Sequence, residues 1–235
     1  EMSQPLIICR SALCLVLVLA AQSTAQAQVG PTATEAAAYA GLHAAAWQGD
    51  VPAIERGAAA SRAALEARDA QGRTPLHVAT FARQRAAVKA LLRAGADPGA
   101  MESDRYDAVT IAAVADDEET LRVLLAQGAS AKLVTSRYDG TALIAAAHLG
   151  HDGVVRQLIA AGAPLDHVNN LHWTAMIESI VLGNGGARHQ EVLRALIAAR
   201  ANTQLTDRMG TTPLALARSR GYDVMVAMLE KAGAK

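Results

Sequence analysis

Seven histidines are the side chains in this sequence best suited to chemistry: His43, His77, His148, His151, His167, His172 and His189. An imidazole can move a proton near neutral pH or ligate a transition metal. Zinc asks for three or four such ligands held at a defined spacing. His167, His172 and His189 come nearest to a set of that kind, and they define one reading, a metal-dependent hydrolase. No fixed ligand spacing supports it, so these three are expected to be solvent-facing loop histidines, with no metal and no cofactor. Covalent catalysis has even less to stand on. The sequence contains no nucleophile elbow, no P-loop, no cysteine pair and no His-Glu-x-x-His. The chain is expected not to be an enzyme.

The other chemistry open to these residue types is recognition. Tyr, Trp and Arg supply most of the energy of protein interfaces, and here they recur in short groups: Arg105 with Tyr106, Arg137 with Tyr138, Trp173 near Asn170 and His172, and Arg208 with Met209. The formal net charge is zero over 235 residues, and no basic stripe is present. A nucleic-acid partner is therefore not expected, since phosphate binding draws its affinity from clustered cations.

Two landmarks show how such residues would be positioned. The first falls at Arg62, Gly95, Gly128, Gly162, Arg200 and Gly233, at intervals of 33, 33, 34, 38 and 33 residues. The second falls at Ala40, Thr74, Asp107, Thr141, Thr174 and Thr212 with the same period. A repeat of this length marks a stack of small units, each of which buries its apolar face against its neighbours. Within the clearest unit, Thr74 suits a helix N-cap and Pro75 the first helical position. Leu76, Ala79 and Thr80 are expected to face the stack, and Val88, Leu91 and Leu92 to form the apolar stripe of a second helix. Gly95 suits a left-handed helix end. Half of the residues are apolar, mostly Ala and Leu, which favours helix.

The N-terminal segment has a different character. Arg10 precedes an apolar run at 11–21, and a small-residue stretch ends Ala25-Gln26-Ala27. This is the pattern of a secretory signal peptide over residues 1–27, cut after Ala27, and it is too short for a comfortable membrane span. An uncleaved anchor is the alternative. Both cysteines, Cys9 and Cys14, fall within this segment. The mature chain is thus expected to be a periplasmic or secreted monomer with neither disulfide nor membrane insertion. Residues 28–38 read as a linker.

The repeated unit resembles the ankyrin repeat. The hallmark stands as Gly72-Arg73-Thr74-Pro75-Leu76-His77-Val78-Ala79 and again as Gly210-Thr211-Thr212-Pro213-Leu214, with looser copies between. The resemblance implies an all-α fold, an ankyrin-repeat solenoid of about six helix-turn-helix repeats joined by β-hairpin-like fingers. The domain spans 39–235, with repeats near 39–68, 69–101, 102–135, 136–168, 169–206 and 207–235. It also implies that His43, His77 and His151 serve the scaffold. Arg62 and Arg200 stand where the helix-ending glycine belongs, and each is expected to occupy that left-handed position at a cost on the order of 1 kcal/mol. Pro52 and Gly57 are expected to interrupt the second helix of repeat one.

In such a stack, one face would carry Trp47, Phe81, Val114, His148, Val181 and Ser219, with Leu149 and Leu182 next to them. Apolar residues in that position mark a partner site. The fingers would add Arg68, Arg73, Arg105, Tyr106, Arg137, Tyr138, Asn170, His172, Trp173, Arg208 and Met209. The function implied is a non-enzymatic scaffold that binds a protein partner through its concave face and fingers. One variant is an accessory or immunity protein acting on a secreted enzyme, and another is a structural role in the cell envelope. The departures from the repeat, at 102–107 and in the insertion at 183–189, are where contact with a partner is expected.

Overall fold

The computed structural model describes residues 28–235. The expected signal segment, with Cys9 and Cys14, lies outside the described residues. A short helix α1 (Ala33–Ala38) comes first, and six helical pairs follow: α2 (Gly41–Gln48) with α3 (Val51–Ala60), α4 (Pro75–Phe81) with α5 (Arg85–Ala94), α6 (Ala108–Val114) with α7 (Glu118–Ala126), α8 (Ala142–Leu149) with α9 (Asp152–Ala160), α10 (Ala175–Val181) with α11 (Ala187–Ala198), and α12 (Pro213–Ser219) with α13 (Asp223–Lys231). The first helices pack in succession from α2 to α12 and the second helices from α3 to α13, giving two layers with a continuous core between them.

Local chemistry explains why each pair forms where it does. Thr74, Asp107, Thr141, Thr174 and Thr212 each cap a first helix by accepting from the backbone N–H three residues on. Ala40 cannot, and α2 starts without a side-chain cap. The first helices bury Ala45, Ala46, Ala79, Ala112, Ala113, Ala146, Ala147 and Ala217, and these small side chains allow close approach. Five of the six second helices bury a leucine at the same place, Leu91, Leu124, Leu158, Leu196 and Leu229, and α3 has Ala58 there.

The helix ends follow the glycine landmark, with one exception. Gly95 (φ 99°), Gly128, Gly162 and Gly233 are left-handed, and Arg200 adopts the same conformation at φ 69°. In each case the next residue's N–H closes on the carbonyl five residues back, as Ala96 does on Leu91 and Ala201 on Leu196. Arg62 departs from expectation. Helix α3 ends on an extended Ser61 (φ −154°), and Arg62 begins a 3-10 turn, Arg62–Glu66, without left-handed strain. Its guanidinium instead lies over Gly95, where an added Cβ would meet Nη2 at 2.5 Å. A cation there faces the negative end of α5.

Repeat one is also more regular than its sequence suggested. Pro52 sits in the first turn of α3, where its missing N–H costs nothing, and the helix runs unbroken through Gly57. Gly57 is where Leu42 crosses, since a Cβ there would lie 2.7 Å from Leu42 Cδ2. Nor is the stretch 28–38 only a linker. Thr32 and Glu35 form a capping box that starts α1.

The fingers share one brace. The side-chain oxygen of Asp69 accepts from the N–H groups of Gln71 and Arg73, that of Glu102 from Asp104 and Tyr106, that of Ser136 from Tyr138 and Gly140, that of Asn169 from Leu171 and Trp173, and that of Asp207 from Met209 and Thr211. The turn demands a left-handed residue, supplied by Gly72, Arg105, Asp139, His172 and Gly210. In repeat four the finger is a two-residue antiparallel pair, β1 (Val134–Thr135) with β2 (Gly140–Thr141).

Candidate partner-binding surface

The stripe expected on one face begins with Trp47 and Phe81, and both are half-buried. Phe81 is covered by the arm that precedes α1, as an added Cβ on Gly30 would touch its Cδ1 at 3.1 Å. Arg73 holds the arm in place. It donates to the Val29 carbonyl and pairs with Glu35 at 2.7 Å and with Asp69 at 2.7 Å. At 2 % exposure Arg73 is a buried anchor and no finger-tip contact, which corrects its expected place on the partner edge. Burial works against the Asp69 carboxylate, yet bonds from the Tyr39 hydroxyl and Arg73 hold its pKa below the ordinary value.

Farther along, Val114, His148, Leu149 and Val181 are partly exposed, and Leu182 is exposed. His148 lies beside a carboxylate in an otherwise apolar row. Glu178 occupies the place held by Val78, Ile111, Ala145 and Leu216 in the other repeats. It is buried, accepts from Asn169 Nδ2 at 2.7 Å and stands 3.3 Å from His148 Nδ1. Glu178 thus ties the fifth finger to the fourth first-helix. Neither the apolar period nor the repeat pattern draws attention to it; only its charge within the row does.

The finger residues are largely engaged with one another. Arg105 pairs with Asp139 at 3.0 Å and Arg137 with Asp104, so the two arginines cross between fingers three and four. Neighbouring backbones also join: Ser103 N–H donates to Gln71 O, Ser136 N–H to Arg105 O, and Asn170 N–H to Tyr138 O. Arg208 donates to Asn170 O at 2.9 Å. Tyr106 is half-buried, and burial raises its pKa. Trp173 packs against the core, while His172 is exposed in the left-handed turn.

What these ties leave open is a row of apolar tips. The residue two places after each brace is Gln71, Asp104, Tyr138, Leu171 and Met209 in turn. The last three are exposed, at 46 %, 40 % and 86 %. The sequence reading missed Leu171, because the two landmarks chosen were helical. A third landmark on the brace residues would have aligned it.

The insertion at 183–189 turns out to be a clamp. Tyr222 Oη donates to Gly183 O at 3.0 Å, and its ring lies over Gly185. His189 is no loop histidine: it sits in α11, buried, and bonds the His148 carbonyl at 2.9 Å. Arg188 reaches Asp116 at 2.9 Å and Asp152 at 3.3 Å, crossing from the fifth repeat over the fourth to the third. Burial opposes the Asp152 charge, but Arg156 and Arg188 lower its pKa.

Five of the seven imidazoles, that of His189 included, serve main-chain carbonyls. His43 bonds Arg73 O, His77 Ala100 O, His151 Ala113 O and His167 Asp139 O. His167 and His189 thus face different carbonyls. No group of three His, Cys, Asp or Glu side chains is close enough to hold a metal ion among the described residues. Two shallow grooves run between second helices, α3 against α5 and α7 against α9, away from the fingers. No helix among the described residues is long and apolar enough to cross a membrane.

Comparison with known proteins agrees with this geometry. Residues 71–102 match the family model for the ankyrin repeat, and 109–187 match the model for three copies of ankyrin repeats. The chain is 34 % identical over 191 residues to the putative ankyrin repeat protein YahD of Escherichia coli (strain K12), covering 81 % of this chain and 94 % of that one. Among solved structures, it is similar to an ankyrin repeat domain from Acinetobacter baumannii AYE at 43 % identity and a TM-score of 0.76, covering 83 % of this chain and 98 % of that one. It is also similar to the ankyrin repeat domain of Bcl-3, described as a unique member of the IkappaB protein family, at 27 % identity and a TM-score of 0.75, with 84 % and 88 % covered.

Proposed function

Because the chain belongs to the ankyrin-repeat family, we propose that it is a non-enzymatic scaffold that binds a protein partner, and that it does so as a monomer in the periplasm. The pattern of residues 1–27 supports the location. The row of Tyr138, Leu171 and Met209 on successive finger tips carries the assignment of the surface. Exposed apolar side chains at equivalent positions form a contiguous edge that water does not favour. Arg105, Arg137 and Arg208 give it a polar rim.

The second and third repeats contribute less. Their tips are polar at Gln71 and Asp104, and the arm covers Phe81. The partner therefore sits on repeats four to six, with Trp47 and Phe81 outside its footprint. Photoreactive residues placed singly at Tyr138, Leu171 and Gln71 in the intact cell test this. A protein crosslinked from the first two positions and absent from Gln71 is the expected result. Crosslinking from Gln71 alone would place the partner on the opposite end of the stack.

A further inference from the structure

The arginines of the second helices are not matched alike along the stack. In α7, α9 and α11 every arginine has a carboxylate beside it: Arg122 has Glu119, Arg156 has Asp152, Arg188 has Asp116 and Arg194 has Glu191. Helix α5 contains no acidic residue, and its Lys89 and Arg93, one turn apart, are exposed and pair with no carboxylate among the described residues. The same holds for Arg62, whose guanidinium lies over Gly95 at the end of that helix. All three cations line the groove between α3 and α5, a space of about 620 Å³ floored by alanines such as Ala58, Ala90 and Ala94. Glu55 is the one carboxylate among its lining residues. The carbonyl end of α5 offsets roughly another half of a unit charge, so a positive surplus stays in the groove. The surplus is local, because the formal net charge of the whole chain is zero.

The groove is also open where its counterparts are crossed. Arg85 reaches Asp117 between α5 and α7, Gln157 reaches Glu118 between α7 and α9, and Arg188 reaches Asp152 between α9 and α11. Among the described residues no side-chain hydrogen bond or ion pair spans α3 and α5. We propose that this groove is a second docking site, separate from the finger tips, and that it takes an acidic segment of a partner protein. Alanine methyls let a docked backbone come close, and opposite charge fixes its direction and speeds its arrival. Helix α5 is ten residues long, so about ten helical or five extended residues of the segment would cover it. A flat anionic membrane would meet the rim cations but leave the alanine floor wet.

The probe is a short labelled helical peptide of alanine, leucine and glutamate, with its glutamates one turn apart. Its binding to the protein purified from an exporting host is followed by fluorescence anisotropy. The peptide should bind, and more weakly as salt rises from ~0.05 to ~0.5 M. Changing Arg62, Lys89 and Arg93 together to Gln should weaken it by about tenfold, as should replacing the peptide's glutamates by glutamine. The same change at the paired Arg122, Arg156 and Arg194 should leave the affinity as it was, and so should Leu171→Ser. Both triple variants alter exposed side chains and should keep the wild-type urea midpoint. Absence of peptide binding would overturn the proposal. An equal loss in the two triple variants would reduce it to diffuse attraction, and a loss in Leu171→Ser would move the peptide to the fingers. Capture by phosphatidylglycerol vesicles, abolished by the groove variant while the peptide stays unbound, would give the surface to a membrane. A dimer that only the groove variant breaks would give it to a second copy of the chain.

Discussion

In the second repeat, 69–101, the polar groups find their partners within the repeat or in the elements that adjoin it, as Gln84 does at the Trp47 carbonyl and Arg85 at Asp117. His77 accepts from Thr74 N–H at Nδ1 and donates to Ala100 O at Nε2, and Arg73 is closed by Asp69 and Glu35. In the fifth repeat, 169–206, the ties run outward. Arg188 crosses to Asp116, His189 to the His148 carbonyl, Glu178 toward His148, and Gly183 receives Tyr222 from the sixth repeat. The well-kept repeat ties only to what adjoins it, and the irregular one reaches past its neighbour, from Arg188 to Asp116. An insertion in a repeat protein is easily read as a binding loop. Here its side chains are used up holding repeats three to six together, and the open surface lies on the regular finger tips.

The largest effect should not distinguish the two repeats. Leu91 and Leu196 occupy the same position, and both are fully buried. Leu91→Ala and Leu196→Ala should each cost about 2–5 kcal/mol in urea unfolding. A cost below about 0.5 kcal/mol at either site would mean that its helix face is wrongly placed.

Acid should separate them. Burial pushes the His77 imidazole down to about 4, with its hydrogen bonds working in the other direction. The unfolded chain takes up the proton at about 6.5, so the stability held by neutral His77 is complete above that value. It is lost as pH falls toward 4, by up to about 3 kcal/mol. The equivalent residue in repeat five is Ile177, which has nothing to titrate. Denaturation midpoints between pH 7 and pH 4 should fall in the wild type and hold much flatter in His77→Gln. The carboxylates of Asp69, Asp117 and Asp152, held below their ordinary value of 3.8, lose their contribution only below that pH.

The two helix ends offer a comparison at fixed backbone shape. Gly95 and Arg200 are both left-handed. Arg200→Gly should raise stability by about 1 kcal/mol, while Gly95→Ala should lower it by a similar amount. A loss in Arg200→Gly would show that the side chain repays its strained backbone.

Smaller still is the clamp. Arg188 is half-exposed, so its pairing is screened, and a double-mutant cycle of Arg188→Ala with Asp116→Ala should give a coupling of about 0.2–1 kcal/mol. No coupling would reduce the insertion to a loop that merely passes by. Leu171→Ser should change stability by less than about 0.5 kcal/mol and yet reduce partner capture. Loss of fold in that variant would mean that the tip is structural.

The sequence by itself determined the period, the caps at Thr74, Asp107, Thr141, Thr174 and Thr212, and the left-handed ends at Gly95, Gly128, Gly162 and Gly233. Each depends on atoms within a few residues of one another. Tertiary structure decided the rest. It let Arg62 escape the left-handed position, buried Arg73, covered Phe81 with the arm, kept α3 whole through Pro52 and Gly57, and carried Arg188 two repeats away. It also chose which finger residues stay free, because Arg105 and Arg137 reach adjoining fingers whereas Tyr138, Leu171 and Met209 stay exposed. A long side chain's partner depends on how far one repeat is displaced from the next, and no local pattern in the sequence records that displacement.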